Sequence, residues 1–128
     1  MPEAPRVLIV DDNVEFRSML QDRLTDLGFV IVDKPADTLV KVIDAIQNSG
    51  LNAIVLDIHM SGLNGFDVLK AIRKVDPYFP AIMMTGSKNA HSMKRALELG
   101  CNTMIEKPCD IDVLAQELRN LIESRRNK

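Results

Sequence analysis

The sequence contains no tryptophan, and only one tyrosine and four phenylalanines among its 128 residues. Aliphatic side chains and methionines are plentiful instead, so we expect a core of Val, Ile, Leu and Met. Long apolar runs are also missing: the longest are four residues, as in Val7 to Val10, whereas roughly 20 apolar residues are needed to cross a bilayer. We therefore expect no membrane contact, no signal peptide and a cytoplasmic location.

Basic charge and cysteine are scarce as well. The formal net charge is -2, and the only basic cluster is the terminal RRNK that begins at Arg125, so we expect no direct binding of this domain to nucleic acid. The two cysteines, Cys101 and Cys109, flank a predicted strand of about five residues and should lie on the order of 20 Å apart. That distance excludes a disulfide within the chain.

A chain of this length can bury a core without disulfides or a structural metal. We expect a single domain over residues 1–128, with its core at about residues 6–122 and residues 123–128 as a tail or the start of a linker.

Five short apolar runs have the composition of buried strands. They are Arg6 to Val10, Phe29 to Val32, Ala53 to Leu56, Ala81 to Met84, and Thr103 to Ile105. Stretches with helical spacing follow each run, and Gly28, Gly50, Gly100 and Asp76-Pro77 mark the expected ends of the first four helices. This alternation predicts an α/β fold with a five-stranded parallel sheet of order 2-1-3-4-5, the flavodoxin-like, doubly wound (βα)5 arrangement.

Apolar positions at helical spacing predict which face of each helix is buried. The predicted faces are Phe16, Leu20, Leu24 and Leu27; Leu39, Ile43 and Ile46; Leu69, Ile72 and Val75; Met93, Ala96 and Leu97; and Leu114, Leu118, Leu121 and Ile122.

Polar residues follow four of the predicted strands where each strand ends. They are Asp11 and Asp12, Asp57, Thr85, and Lys107. Because the carboxyl ends of parallel strands meet at one edge of a sheet, we expect these side chains to converge there. Three carboxylates within about 5 Å of one another repel by roughly 3 kcal/mol per pair at an effective dielectric constant of 20. Lys107 can offset one charge, and Mg²⁺, with Mn²⁺ as an alternative, can offset the rest.

Each of these residues alone has a simpler interpretation. An acidic pair after a strand often caps a helix, and a lysine before proline is often a surface residue. The two histidines, His59 and His91, lie too far apart in sequence to indicate a zinc site. The joint placement of the five residues at equivalent strand ends is what indicates a functional site.

The same residues lie in motifs that resemble those of the receiver domain of bacterial two-component response regulators, a family that includes the chemotaxis receiver protein. The motifs are LIVDDN (8–13), IVLDIHM (54–60) with Gly65 downstream, MMTG (83–86) and EKP (106–108). The resemblance extends from about Arg6 to Ile122. It implies a domain that is switched by phosphorylation and that catalyses only its own phosphorylation and dephosphorylation.

The resemblance also implies a role for each matching residue. Asp57 would accept a phosphoryl group from a phosphohistidine on a histidine kinase or a histidine phosphotransfer protein. Asp12 would bind Mg²⁺ directly and Asp11 largely through water, and Asp57 and the backbone carbonyl of His59 would complete the protein's ligands.

Three further roles are implied at the ends of the last two strands. Lys107 would pair with the carboxylate and then with the phosphoryl group, and the hydroxyl of Thr85 would donate to a phosphoryl oxygen. The bond before Pro108 would be cis. Helix 4, strand 5 and helix 5 would form the partner-binding surface, for an output domain or protein that the sequence does not identify.

The sequence departs from the family pattern at three positions. Met104 stands where Tyr or Phe is usual, and either a rotamer switch or a plain packing role fits a flexible thioether. Ser61, followed by Gly62, replaces the usual proline, so we expect a looser loop there. His59 either reaches the phosphoryl entrance or contributes only its carbonyl.

Other functions of similar architecture fit less well. A receiver-like domain that binds partners without phosphate typically lacks an acidic residue or the lysine, and none is missing here. A flavodoxin would need a Ser/Thr/Gly-rich phosphate loop where this chain has DDNVEFR. A phosphatase of the haloacid dehalogenase type needs a second Asp two residues after its nucleophile, where His59 stands.

Overall fold

The computed structural model describes residues 3–34, 36–87 and 89–126. Two residues of the predicted tail, Asn127 and Lys128, lie outside the described residues. The strands are β1 Arg6–Val10, β2 Val30–Ile31, β3 Ala53–Asp57, β4 His59–Met60, β5 Leu63–Asn64, β6 Ala81–Thr85 and β7 Thr103–Glu106. The helices are α1 Val14–Asp26, α2 Leu39–Asn48, α3 Gly65–Val75, α4 Ala90–Glu98 and α5 Ile111–Arg126.

Five strands form one parallel sheet in the order β2-β1-β3-β6-β7. β4 and β5 form a separate two-stranded sheet. Numbered without them, the five strands have the predicted order 2-1-3-4-5, which is therefore confirmed. The second strand is shorter than predicted, since only Val30 and Ile31 pair with β1. The other predicted strands after β1 each continue by one residue, so Asp57 and Thr85 are themselves the last residues of β3 and β6.

Helices cover both faces of the sheet, which explains why its central strands are apolar at every position. One apolar cluster joins Leu8 and Val10 of β1 to residues of α2, α3 and α4. The other joins Val7 and Ile9 to α1 and α5. Each fully buried Leu or Ile contributes roughly 1.5–3 kcal/mol relative to an exposed one, so the two clusters hold the strands firmly in register. Within the described residues, no helix is both long enough and apolar enough to span a bilayer.

The predicted helix ends are confirmed. Gly28, Gly50 and Gly100 have positive φ values of 97, 63 and 88° just past the ends of α1, α2 and α4, and Asp76 ends α3. The predicted apolar faces are only partly right, because four of their residues are exposed: Leu39 by 37%, Val75 by 43%, Met93 by 37% and Leu97 by 65%. α4 packs on the sheet through small side chains, Ser92 and Ala96, so its larger apolar residues remain outside.

The loop after Asp57 is an antiparallel hairpin that the sequence analysis missed. β4 and β5 pair through His59 with Asn64 and through Met60 with Leu63. Ser61 and Gly62 form its two-residue turn, with Gly62 at φ 74°. A Ser-Gly dipeptide is a known turn signal and could have revealed the hairpin. The expected loose loop is thus a paired structure beside the site.

α3 begins against the backbone of the β3 end. A Cβ atom on Gly65 would lie 2.4 Å from the carbonyl oxygen of Asp57 and 2.7 Å from the Cα of Ile58. The N–H of Gly65 donates to the carbonyl of Ile58 at 2.9 Å. This contact between two backbones explains why Gly65 follows the IVLDIHM motif.

The substitution Gly65→Ala should therefore lower the free energy of unfolding by about 1–3 kcal/mol, because backbone atoms must move to admit the methyl group. Urea denaturation of the purified protein measures the change. Gly86→Ala is the matched control: a Cβ there meets nothing within 4 Å, and the expected change is within about 0.5 kcal/mol. Equal midpoints for Gly65→Ala and the unmodified protein would contradict the close approach.

Candidate functional site

Three carboxylates meet at the carboxyl edge of the sheet. Val10 pairs with Leu56 in the register of β1 and β3, so Asp11 and Asp12 lie beside Asp57. One carboxylate oxygen from each of the three residues lies within 4.8 Å of the other two. Asp11 and Asp57 are 5 and 7% exposed, whereas Asp12 is exposed. This arrangement concentrates negative charge at a site that is partly closed to water.

Lys107 brings a positive charge to this cluster. Its ammonium nitrogen Nζ lies 2.6 Å from Oδ2 of Asp11 and 3.5 Å from Oδ2 of Asp57. Its backbone N–H donates to the carbonyl of Thr85 at 2.7 Å, and the peptide bond between Lys107 and Pro108 is cis. The shorter, hydrogen-bonded contact is with Asp11, so the lysine pairs more closely with Asp11 than with Asp57.

The surroundings raise the pKa of the Asp57 carboxyl above its ordinary value of 3.8. The largest cause is burial, which removes water from the charged form, and the nearby negative charge of Asp11 acts in the same direction. The positive charge and hydrogen bonding of Lys107 and the backbone N–H of His59 oppose the shift. Lys107 therefore offsets the combined effect of burial and of the Asp11 charge only in part.

The hydroxyl of Thr85 lies at the end of β6 but bonds within the following turn. It donates to the carbonyl of Ser87 at 3.2 Å and accepts from the N–H of Ser87 at 3.2 Å. The side chain is fully buried. The structure thus places Thr85 at the same sheet edge as Asp57, with its hydroxyl engaged by the loop that leads to α4.

Backbone N–H groups orient the two acidic residues that follow β1. Oδ1 of Asp11 accepts from the N–H of Asn13 at 2.9 Å, and Oδ2 of Asp12 accepts from the N–H of Ser61 at 2.8 Å. The second contact was not foreseen from the sequence. The sequence feature that could have revealed this hydrogen bond is the replacement of the usual proline by Ser61, since proline has no N–H to donate.

The remaining candidate residues are less closely engaged. His59 is exposed on β4, and only its backbone N–H acts on Asp57. His91 is exposed on α4. Met104 is partly buried, pairs with Met83 across β6 and β7, and packs against the apolar cluster of α2, α3 and α4. Its role as a switch stays a prediction.

Both cysteines are free thiols, Cys101 buried and Cys109 partly buried. Burial raises the pKa of each thiol above its ordinary value of 9.0, so neither is an activated nucleophile at neutral pH.

The donor set fits a hard divalent cation. All three side chains offer carboxylate oxygens, the ligand type that Mg²⁺ prefers, and their mutual repulsion is the kind that a cation relieves. An open cavity of about 340 Å³ connects Asp12 with solvent. Its lining consists of Asp12, Ile58, His59, Met60, Ser61 and Asn64.

Comparisons with known proteins agree with this geometry. Over 126 residues the chain is 29% identical to the uncharacterized transcriptional regulatory protein YkoG of Bacillus subtilis, covering 98% of this chain but only 54% of that protein. It is 28% identical to the chemotaxis protein CheY of Pseudomonas aeruginosa, covering 92% of this chain and 96% of that one. The chain thus spans about half the length of the first relative and nearly all of the second.

Solved structures show the same fold. The CheY-like receiver domain protein from Methanospirillum hungatei superposes with a TM-score of 0.86 at 23% identity, covering 98% of both chains. The family profile described as response regulator receiver domain matches residues 7–119. With its (βα)5 sheet and its cluster of acidic residues and lysine at the carboxyl edge, the chain belongs to the response regulator receiver domain family.

Proposed function

We propose that Asp57 is the phosphoacceptor of a two-component switch and receives its phosphoryl group from the phosphohistidine of a histidine kinase or a histidine phosphotransfer protein. The single observation that carries this proposal is the meeting of three carboxylates within 4.8 Å of one another, two of them in contact with Lys107. A structural salt bridge needs one acidic partner, not three. The excess of negative charge is useful where a divalent cation and a phosphoryl group bind.

In this proposal Asp11, Asp12, Asp57 and the backbone carbonyl of His59 hold Mg²⁺. The bound cation supplies charge neutralisation for the phosphoryl oxygens. A carboxylate oxygen of Asp57 attacks phosphorus, and the bond from phosphorus to the imidazole nitrogen of the donor breaks as the new one forms. Lys107 balances charge on the phosphoryl oxygens, since transfer depends mainly on positioning and electrostatics.

The response to phosphorylation would pass through Thr85. Its hydroxyl bonds to Ser87 in this structure, and a phosphoryl oxygen on Asp57 would offer a competing, charged acceptor. Exchange of that partner would change the loop before α4. Phosphorylation can shift the population only through contacts that are stronger in one conformation than in the other. The hydrogen bond from Thr85 to the phosphoryl oxygen would be such a contact. The surface of α4, β7 and α5, with Lys94, Met104 and Val113, would then present a changed face to an output domain or protein.

The setting of the protein follows from the proposed donors. Histidine kinases and phosphotransfer proteins act on receiver domains in the cytoplasm, where we place this chain. We propose that residues 1–128 form one receiver domain with its core at about residues 6–122.

A phosphatase of the haloacid dehalogenase type is the alternative function with the most similar site, but the exposed His59 occupies the position where its second Asp is needed.

Incubation with acetyl phosphate and Mg²⁺ should add one phosphoryl mass to the intact protein, because acetyl phosphate can replace a protein donor. Intact-mass spectrometry measures the gain, which should be absent in Asp57→Asn and in the presence of EDTA. Asp67→Asn, an exposed carboxylate on α3, is the matched control and should be phosphorylated normally. Uptake by Asp57→Asn, or none by the unmodified protein, would refute the proposal.

Thr85→Ala should still accept the phosphoryl group but should transmit it poorly. Beryllofluoride, which stands in for the phosphoryl group, is expected to shift the amide resonances of Lys94, Met104 and Val113 in the unmodified protein and by less than half as much in Thr85→Ala. Thr85→Ser keeps the hydroxyl and should retain the response. Equal shifts in Thr85→Ala and the unmodified protein would show that the hydroxyl carries no signal.

In a metal-free buffer at pH 7, Asp57→Asn should raise the free energy of unfolding. The pKa of Asp57 is higher in the folded chain, so the folded state binds the proton more tightly and stability falls as the pH rises through the folded pKa. The advantage of the neutral amide should disappear below the ordinary pKa of 3.8, where both forms are uncharged. Urea denaturation in EDTA at several pH values measures the difference.

Addition of Mg²⁺ should reduce the stability advantage of Asp57→Asn. At ten times its dissociation constant, Mg²⁺ stabilises the unmodified protein by about 1.4 kcal/mol, and it should stabilise Asp57→Asn by less because one ligand is lost. Asp22→Asn, an exposed residue of α1, is the control and should behave like the unmodified protein throughout. A less stable Asp57→Asn at pH 7 without metal would contradict the electrostatic account of the site.

A further inference from the structure

The ammonium group of Lys107 has a third neighbour besides the two carboxylates. Its nitrogen lies 4.3 Å from the centroid of the Phe16 ring on α1, well inside the roughly 6 Å at which a ring face attracts a cation. The Lys107 side chain is only 20% exposed. The attraction is therefore less screened by water than it would be on an open surface.

The position of Phe16 is fixed by the acidic cluster itself. Oδ1 of Asp11 accepts the N–H of Asn13 at 2.9 Å, and Oδ1 of Asn13, the N-cap of α1, accepts the N–H of Phe16 at 3.0 Å. Oδ2 of Asp11 accepts from Lys107. The four residues thus form a closed circuit of contacts, in which Asp11 binds the lysine and also begins the turn that brings the ring to it.

The ring is held from its other side as well. Phe16 is partly buried and packs against the apolar cluster of α1 and α5. Each of the four phenylalanine rings lies near a cationic side chain, and Phe16 is the one whose cation, Lys107, belongs to the proposed phosphoryl-transfer site. The Phe16 ring therefore contacts both the apolar core and the ammonium group of Lys107.

We propose that Phe16 is a positioning residue for phosphoryl transfer: its ring holds the Lys107 ammonium beside Asp57 while the lysine exchanges a carboxylate oxygen for a phosphoryl oxygen. This inference rests on the proposed function of Asp57. It adds a residue that touches neither the cation site nor the phosphoryl group and acts through the lysine.

An aromatic ring suits this task for two physical reasons. A lysine side chain has four rotatable carbon–carbon bonds and about 2 kcal/mol of rotamer entropy, so an unrestrained ammonium would sample many positions. The ring face attracts the charge but contributes no oxygen lone pair, so the hydrogen bonds of the ammonium stay available for oxygen acceptors. The contact with the ring does not depend on the oxygens of Asp11, so it would remain if a cation took a share of that carboxylate.

Fluorination of the ring tests the electrostatic part of this role at nearly constant shape. Site-specific replacement of Phe16 by mono-, di- and trifluorophenylalanine progressively weakens the negative face of the ring. The rate constant for phosphorylation of Asp57 by acetyl phosphate, at fixed Mg²⁺, should fall with each added fluorine, by about two- to fivefold over the series. A small-molecule donor is used so that lost docking of a partner protein cannot imitate the effect.

Two substitutions and one matched series complete the design. Phe16→Leu removes the ring and should slow phosphorylation at least as much as the trifluorinated ring, whereas Phe16→Trp, which keeps an aromatic face, should restore the rate. The control is the same fluorinated series at Phe29, whose ring lies 4.8 Å from the Arg119 guanidinium carbon away from the site. Its rate constants should not change.

Nuclear magnetic resonance reads the contact without any phosphorylation. The Hε protons of Lys107 should resonate upfield of their position in Phe16→Leu, because the nitrogen next to them lies over the ring. The inference alone is overturned if the unmodified protein is phosphorylated but the rate constant does not change across the fluorinated Phe16 series, or if this upfield shift is absent. If the unmodified protein takes up no phosphoryl group, the proposed function fails and the positioning role fails with it.

Discussion

The functional edge of this domain depends on holding like charges together against their repulsion. The register of β1 against β3 sets Asp11 and Asp12 beside Asp57, and each pair of charges at about 5 Å costs roughly 3 kcal/mol at an effective dielectric constant of 20. The apolar residues that precede them are buried to 4% exposure or less, and each large one contributes roughly 1.5–3 kcal/mol. The core therefore outweighs the repulsion and holds the three carboxylates together.

Lys107 relieves that repulsion unevenly, and the unevenness matters for chemistry. It lies closest to Asp11 and makes a longer contact of 3.5 Å to Asp57. Burial, together with the charge of Asp11, keeps the pKa of Asp57 raised, and the lysine opposes this only in part. A nucleophilic carboxylate that was fully neutralised by a lysine hydrogen bond would have less electron density to offer. In the proposed transfer, this geometry would leave the lysine near enough to balance charge on an incoming phosphoryl group and would leave Asp57 free to react.

The parallel sheet, its strand order and the composition of the site could all be predicted from the sequence. Continuous apolar runs require cover on both faces, and a polar residue at the end of each run can only lie at one edge. The exposed Leu39, Val75 and Leu97 could not be predicted, because periodicity marks an apolar stripe without showing how much of it a neighbouring element covers. The choice of Lys107 between two carboxylates likewise depends on differences of about an ångström.

The effect of replacing the usual proline by Ser61 could be determined only from the three-dimensional structure. Read along the chain, a serine and a glycine in place of a proline suggest freedom. In the fold they form the turn of a paired hairpin, and the N–H that proline would lack donates to Asp12. The exposed member of the acidic cluster is thereby oriented by the backbone, as the buried member Asp11 is by Asn13.

The two ends of α4 are held in different ways, which bears on how a signal would leave the site. At its carboxyl end, the Arg73 guanidinium of α3 donates to the carbonyl of Gly100 at 2.9 Å and to Oδ1 of Asn102 at 3.0 Å. At its amino end, the Asn89 cap follows Thr85 by four residues. A change at Thr85 would act first on the amino end, while the multiple bonds of Arg73 resist movement of the other. If Asp57 is phosphorylated as proposed, these contacts favour a tilt of α4 about its carboxyl end over a translation along the sheet.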